Sequence, residues 1–391
     1  MFRNFFVIHR SGKTYFAKNF RPGPDRVHLR PPIAASLVVG FSSSISSFCK
    51  TLLGEEVREV TSLNGRIVYK EVGDFIFVAH SDLRVGSSII QSILADVVSV
   101  CEMLFGAFQH WDQDTFDLSG AQDIINMYFA RATHDPSIAV SGLTQIFLDG
   151  DITERLDKLL AFLESQEGVC GNGTMLVLGE SVLHSRMPLA DTRMILQFHK
   201  ARSLGVSSVR FTPIFTSGAW HNLYAVRINS FVLFAMLYID KPYSMIEKKI
   251  EEFQTTLIQS RLEIPIEAST SFLQTAWKEP PVLLRLYAKR ETLAMLYSNI
   301  KTGATVFPAL RPGPEVQQRE ILDAFWCFFS DASTALRTPG VTEFAMCRDA
   351  YRFYAKSEGI HKLYVLLSSD TQLADIPTIA ADILKNIRSA Q

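Results

Sequence analysis

Three apolar runs, each closed by an aspartate and followed by an amphipathic stretch, constrain this chain more than any other feature. The runs are Phe75-Ile76-Phe77-Val78-Ala79-His80-Ser81, Phe231-Val232-Leu233-Phe234-Ala235-Met236-Leu237-Tyr238 and Leu363-Tyr364-Val365-Leu366-Leu367-Ser368; the stops are Asp82, Asp240 and Asp370. A carboxylate after a strand suits a turn or a helix entry, where it accepts from free backbone N–H groups. Recurrence roughly every 130 to 160 residues is near the usual domain size and predicts three small domains of one plan. A single doubly wound α/β domain would alternate strand and helix with crossovers. Here strands come in twos and threes between helices.

With 391 residues, the chain has room for two or three domains, and its 47% hydrophobic content can fill their cores. A charged fraction of 20% does not fit a disordered chain. The net charge of −1 gives no global field toward nucleic acid. Five cysteines, at 49, 101, 170, 327 and 347, lack metal spacing and are odd in number, which fits reduced core thiols of a cytoplasmic protein. The first residues enter a strand pattern at once, so no signal peptide is expected. The longest apolar runs, about nine residues, are short of a bilayer span.

Local patterns give each module the order β-β-α-β-β-β-α. In the first, residues 4–9 and 14–17 form a hairpin across Ser11-Gly12-Lys13. Residues 34–53 read as a helix with Leu37, Phe41, Ile45, Phe48 and Leu52 at helical spacing, ended by Gly54. Strands at 58–63, 66–71 and 75–81 follow, the first two joined by Asn64-Gly65, and residues 85–105 form a second helix. A helix at 151–165, capped by Asp151, is expected to bridge modules. The second module repeats the order with strands at 174–178, 181–184, 209–214, 223–228 and 231–239 and helices at 189–204 and 243–261. The third begins after Pro280-Pro281, with strands at 283–287, 292–297, 343–347, 351–356 and 363–368 and helices at 315–329 and 373–388. The fold class is α/β (α+β): three five-stranded, mainly antiparallel sheets flanked by helices. The expected boundaries are 1–135, a helical connector at 136–168, 169–264 and 265–391.

Motifs for covalent chemistry do not appear. The chain has no phosphate-cradling Gly-rich-Lys-Ser loop, no Gly-x-Gly-x-x-Gly turn and no Gly-x-Ser-x-Gly elbow. Gly171-Asn172-Gly173 precedes a strand and reads as a linker turn. The nine histidines are scattered without a metal-binding pair, and His80, inside an apolar strand, reads as a hydrogen-bonded core residue. Asp112 and Asp114 beside Trp111 read as a solvated loop. No catalytic residue, cofactor or metal is expected.

Two features are suited to binding. The proline-rich stretch 18–30 carries Lys18, Arg21, Arg26 and Arg30, which could meet an anionic membrane or simply face solvent. The helix at 34–53 is rich in small serines: Ser36, Ser42, Ser43, Ser44, Ser46 and Ser47. A serine row loses little side-chain entropy and permits close backbone approach, which suits either a partner protein or a helix packed under its own chain. Ser43, Ser46, Ser47 and Lys50 are the partner-binding candidates.

The module order, with Phe5-Phe6-Val7-Ile8, Ser11-Gly12-Lys13, Val57-Arg58-Glu59-Val60, Asn64-Gly65-Arg66-Ile67-Val68-Tyr69, Leu284-Arg285-Leu286-Tyr287-Ala288-Lys289 and His361-Lys362-Leu363-Tyr364-Val365, resembles the tri-longin family. Within it, the first module looks most like the SAND, or monensin-sensitivity, proteins; the fuzzy-type planar-polarity branch is the other option. Thr14 stands where that family usually has proline. The resemblance implies a subunit of a heterodimeric guanine-nucleotide exchange factor. Such a subunit pairs with a second tri-longin protein through the first domains and serves a Rab GTPase of the late endosome or vacuole. It implies a cytoplasmic protein held peripherally on endosomal, lysosomal or vacuolar membrane, and a regulator, not an enzyme. A longin-type adaptor without exchange activity, in a trafficking or ciliary complex, is the alternative.

Overall fold

The computed structural model describes residues 2–20, 35–63, 65–111, 117–132, 136–140, 142–146, 148, 150–202, 210–229, 231–239, 243–259, 292–307, 314–348 and 350–389. The chain divides into two units, Met1–Ser141 and Gly142–Gln391.

The first unit is built on β1 (Phe2–His9), β2 (Thr14–Asn19), β3 (Glu59–Ser62), β4 (Gly65–Val72) and β5 (Phe75–Ser81). They form one antiparallel sheet in the order β2-β1-β5-β4-β3. The first apolar run is therefore the middle strand, and all seven of its residues are buried. Strand side chains alternate between faces, and here both faces are covered. Ile76 and Val78, with Phe6, Ile8 and Tyr69, pack under Val38 and Val39 of α1 (Ala35–Phe48). On the opposite face Phe5 lies 4.6 Å from Phe129 of α3 (Gln122–Ala132), and Phe77 lies 6.5 Å from Trp111. Gly65 opens β4 because nothing larger fits: a Cβ there would lie 2.7 Å from the Ser81 carbonyl oxygen and 2.9 Å from His80 Nε2.

Helix α2 (Ser87–Phe105) is long and apolar enough to cross a bilayer by length and composition, contrary to the estimate from unbroken apolar runs. Ser92, Ser99, Gln91, Asp96 and Glu102 interrupt its apolar runs, yet its mean hydropathy stays high. In this fold it lies against β4 and β5, with Ile90, Ile93 and Leu94 fully buried. Its buried Asp96 accepts a 2.8 Å hydrogen bond from Tyr128 Oη of α3, and Gln91 Nε2 donates to the Tyr69 carbonyl. Asp82 accepts from the Arg84 amide at 3.1 Å, the turn role expected of it. At Asp370 the bonding differs: its own N–H donates to Ser368 Oγ and its carboxylate accepts from the Ser368 hydroxyl, both at 3.3 Å, while Asp240 lies outside the described residues.

The second unit holds two sheets. One comprises β7 (Val169–Leu178), β8 (Ser181–Ser185), β9 (Arg210–Thr216), β10 (Ala219–Ile228) and β11 (Phe231–Tyr238), in the order β8-β7-β11-β10-β9. The other comprises β12 (Thr292–Asn299), β13 (Ala304–Val306), β14 (Glu343–Arg348), β15 (Tyr351–Glu358) and β16 (His361–Ser368), extended at the β13 edge by β6 (Leu143–Thr144). Numbered within each module, all three sheets run second-first-fifth-fourth-third. The helices repeat as well: α5 (Leu189–Arg202) and α7 (Glu315–Ala335) follow the second strands, and α6 (Tyr243–Gln259) and α8 (Ile376–Ser389) follow the fifth. The chain is thus a mixed α/β protein with three mainly antiparallel sheets of five or six strands, flanked by helices.

Three local expectations change. Gly171-Asn172-Gly173 lies inside β7, where Asn172 takes a left-handed φ of 55° beside a register shift in the β7–β11 ladder, so it is a bulge instead of a linker. The helix expected to bridge modules is α4 (Gly150–Glu164), whose Ile152, Leu156, Leu160 and Leu163 join Leu176, Phe231 and Leu233 in the core of the second sheet. Finally, Thr292–Asn299 pairs onward with β13, where the sequence reading paired it with 283–287; that segment, and Pro280-Pro281, lie outside the described residues.

Candidate partner-binding surface

Helix α1 has two uncharged sides, and of the two readings the serine row left open, Ser42, Ser43 and Ser46 follow the one in which the helix packs against its own chain. Val38, Val39, Ser42, Ser43, Ile45 and Ser46 face the sheet, while Ser44 and Ser47 face outward. Ser42 and Ser46 are buried, and their small size brings the helix close to β1 and β4. Ser46 Oγ donates to Glu71 Oε1 at 2.6 Å, while Arg10 Nη2 donates to Glu71 Oε2 at 2.8 Å. The Glu71 side chain is 1% exposed, so its charge is offset by Arg10 and by the serine hydroxyl. Ser43 Oγ donates to the Arg10 carbonyl at 3.1 Å. Of the four partner-binding candidates, Ser46 is therefore an internal anchor and Ser43 is half-buried on an internal bond, because both hydroxyls find acceptors on their own sheet. Ser47 and Lys50 remain exposed.

The apolar row read at helical spacing lies mostly on the outside. Ile45 packs against the core, but Leu37 is 67% exposed, Phe41 45%, Phe48 53% and Leu52 67%. After Phe48 the backbone widens into one turn at Cys49–Leu53, closed by the Gly54 N–H donating to the Cys49 carbonyl, with Gly54 at φ 69°. No residue of that turn is buried, and Leu53 extends the row at 63% exposed. Leu63, at the end of β3, is 97% exposed. Single exposed apolar residues are ordinary, whereas a contiguous row marks a contact surface. One sequence signal could have revealed it: between 35 and 49 neither side of the helix carries a charge, so neither is built for open water.

Lys18 is half-buried in β2; Arg21, Arg26 and Arg30 lie outside the described residues, as do Asp112 and Asp114. His80 is the buried, hydrogen-bonded residue expected, 3.3 Å from Asn4 Nδ2, and burial with the nearby Arg3 charge lowers its pKa. Two cysteines behave as core thiols: burial pushes Cys101 up to about 12 and Cys170 up to about 11. Cys347 is exposed, which corrects the core reading for that position.

Among the described residues, an ionic cluster lies on α4, β7 and the end of β8. Glu164 Oε1 accepts from the Gly173 and Thr174 amides and the Thr174 hydroxyl, and Oε2 accepts from Arg186 Nε at 2.8 Å. Asp157 accepts from His184 Nε2 and Arg186 Nη1, and these bonds, the histidine's first, hold its carboxyl below the usual range despite partial burial. The Glu164 carboxylate is consumed by its own β7 bulge and Arg186, so it is a structural clasp. Among the described residues, no group of three His, Cys, Asp or Glu side chains is placed to hold a metal.

No family model and no curated protein matches the chain. Among solved structures, a Roadblock/LC7 domain from Streptomyces avermitilis is similar over 28% of this chain and 92% of its own length, at 12% identity and a TM-score of 0.20. What the structure defines by itself is a chain with three copies of one five-stranded plan and an uncovered apolar helix face on the first.

Proposed function

We propose that this chain is a subunit of a heterodimeric guanine-nucleotide exchange factor for a Rab-type GTPase of the late endosome or vacuole, acting in endosome maturation and membrane fusion. The observation that carries the proposal is the apolar row on α1. A helix of this length spans roughly 28 Å and about 10 Å across, giving a footprint well below the ~800 Å² per partner of a stable complex. The partner, a second tri-longin subunit in this reading, therefore also covers the β3–β4 end with Leu63. Ser47 and Lys50 fall on the rim of that contact. Lys18, Arg21, Arg26 and Arg30 supply a peripheral contact with anionic membrane, each worth about 1 kcal/mol near such a surface.

The reading requires no covalent chemistry from this chain. An exchange factor needs only to bind the nucleotide-free GTPase better than the loaded one, and the population shifts by that difference. The test is release of a fluorescent guanine nucleotide from late-endosomal Rabs, with this protein alone and with its co-purified partner. Acceleration supports exchange. Tight binding of the GTP-loaded form without release would replace it with the adaptor function, and no interaction with any Rab would overturn both.

A further inference from the structure

The second and third sheets share one short segment that belongs to neither module. Residues 142–146 run between the outer edges of both. Leu143 and Thr144 pair parallel to Ala304 and Thr305 of β13, and the Leu143 amide donates to the Gly303 carbonyl at 2.9 Å. Gln145 then forms a parallel bridge to Val182 of β8, and the Ile146 amide donates to the Val182 carbonyl at 3.0 Å. The Ile146 side chain is buried in the core of the second sheet, and Leu143 is buried as well. At Gly142 a Cβ would lie 2.1 Å from Thr305 Cγ2, so only glycine lets the segment approach β13. An unpaired strand edge exposes backbone donors and acceptors; here five residues close two such edges together.

We infer that residues 142–146 are a strap that couples the second and third sheets, so that β8 and β13 open to solvent in one event. Both sheets fall within the unit Gly142–Gln391. The β12–β13 turn also presses on α5, since a Cβ at Gly303 would lie 2.6 Å from Leu189 Cδ1. The strap is the part of this contact that reaches the interior of one sheet and the backbone ladder of the other. Two consecutive ladders on one short segment must be broken together, because losing either leaves the other a one- or two-residue pairing.

Amide hydrogen exchange on the full chain tests this. Ile146→Ser removes the anchor in the second core and leaves the third sheet's residues untouched. The strap requires exchange in β13 and β8 to rise together, by tenfold or more, while β15 and β10 keep their rates. Gly142→Val is the converse variant, wedging the β13 end, and must accelerate β8 to the same degree. Acceleration confined to the sheet bearing the substitution, in either variant, overturns the coupling. So does wild-type protein in which β8 and β13 exchange through openings of different free energy. If Gly142→Val does not fold, Ile146→Ser decides alone.

Discussion

Replacing Leu37 and Leu52 together by glutamine separates the two sides of α1. Glutamine has nearly the helix propensity of leucine, and both leucines are 67% exposed, so most of their burial energy is not yet used in folding. Fully burying a leucine is worth about 1.5–3 kcal/mol. Two-thirds of that remains to be gained at each position when a partner covers the helix, about 1–2 kcal/mol. The pair should weaken partner binding by about 2–4 kcal/mol, or roughly 30- to 900-fold in Kd. The third of each leucine already covered in the fold is lost as well, so the stability of the isolated chain to urea should fall by about 0.5–1 kcal/mol per leucine. The opposite side gives the contrast. Ser46→Ala removes a hydrogen bond to the buried Glu71 carboxylate, a loss of about 1.5–3 kcal/mol in folding, with partner affinity per folded molecule unchanged. Titration calorimetry with the co-purified partner and urea melts measure both quantities. Unchanged affinity in the double variant, or weakened affinity per folded molecule in Ser46→Ala, would refute the assignment of the two faces.

Gly65→Ala should destabilise the first unit by about 1–3 kcal/mol, as overpacking does, because its Cβ would collide with the Ser81 carbonyl oxygen; an unchanged melting temperature would contradict this. Burial lowers the pKa of His80 and of His199, whose Nε2 lies 3.1 Å from the Gly179 carbonyl oxygen. The unfolded state therefore binds more protons just below the ordinary histidine value of about 6.5, and stability rises with pH there. This contribution is complete above about pH 6.5 and declines as pH falls toward the folded-state values. Melting at pH 7.5, 6.0 and 5.0 should show that loss, and His199→Gln should reduce it; a flat profile would sink the assignment.

Much of the fold was legible along the chain. The middle strand of each sheet was visible because a strand covered on both faces shows no polar alternation, as at Phe75–Ser81. Gly54 marked a helix end through the left-handed φ that the structure repeats, whereas Gly65, read as a hairpin turn, is needed because the Ser81 carbonyl and His80 approach its backbone. The β7 bulge was not legible, since Gly171-Asn172-Gly173 looks like any turn until Glu164, on another element, accepts from its amides. Nor was the strap: two paired residues carry no periodicity at all.

The sequence by itself determined the elements and their threefold order, because hydrophobic period, turn residues and helix stops act locally. Only the tertiary structure decided which side of α1 meets the sheet. Serine and leucine rows at helical spacing are equally compatible with a helix, and periodicity cannot rank two uncharged sides. The choice is made by Val38, Val39 and Ile45 packing on the sheet and by the Glu71 carboxylate and the Arg10 backbone carbonyl, which accept the Ser46 and Ser43 hydroxyls and leave Leu37, Phe41, Phe48 and Leu52 facing out.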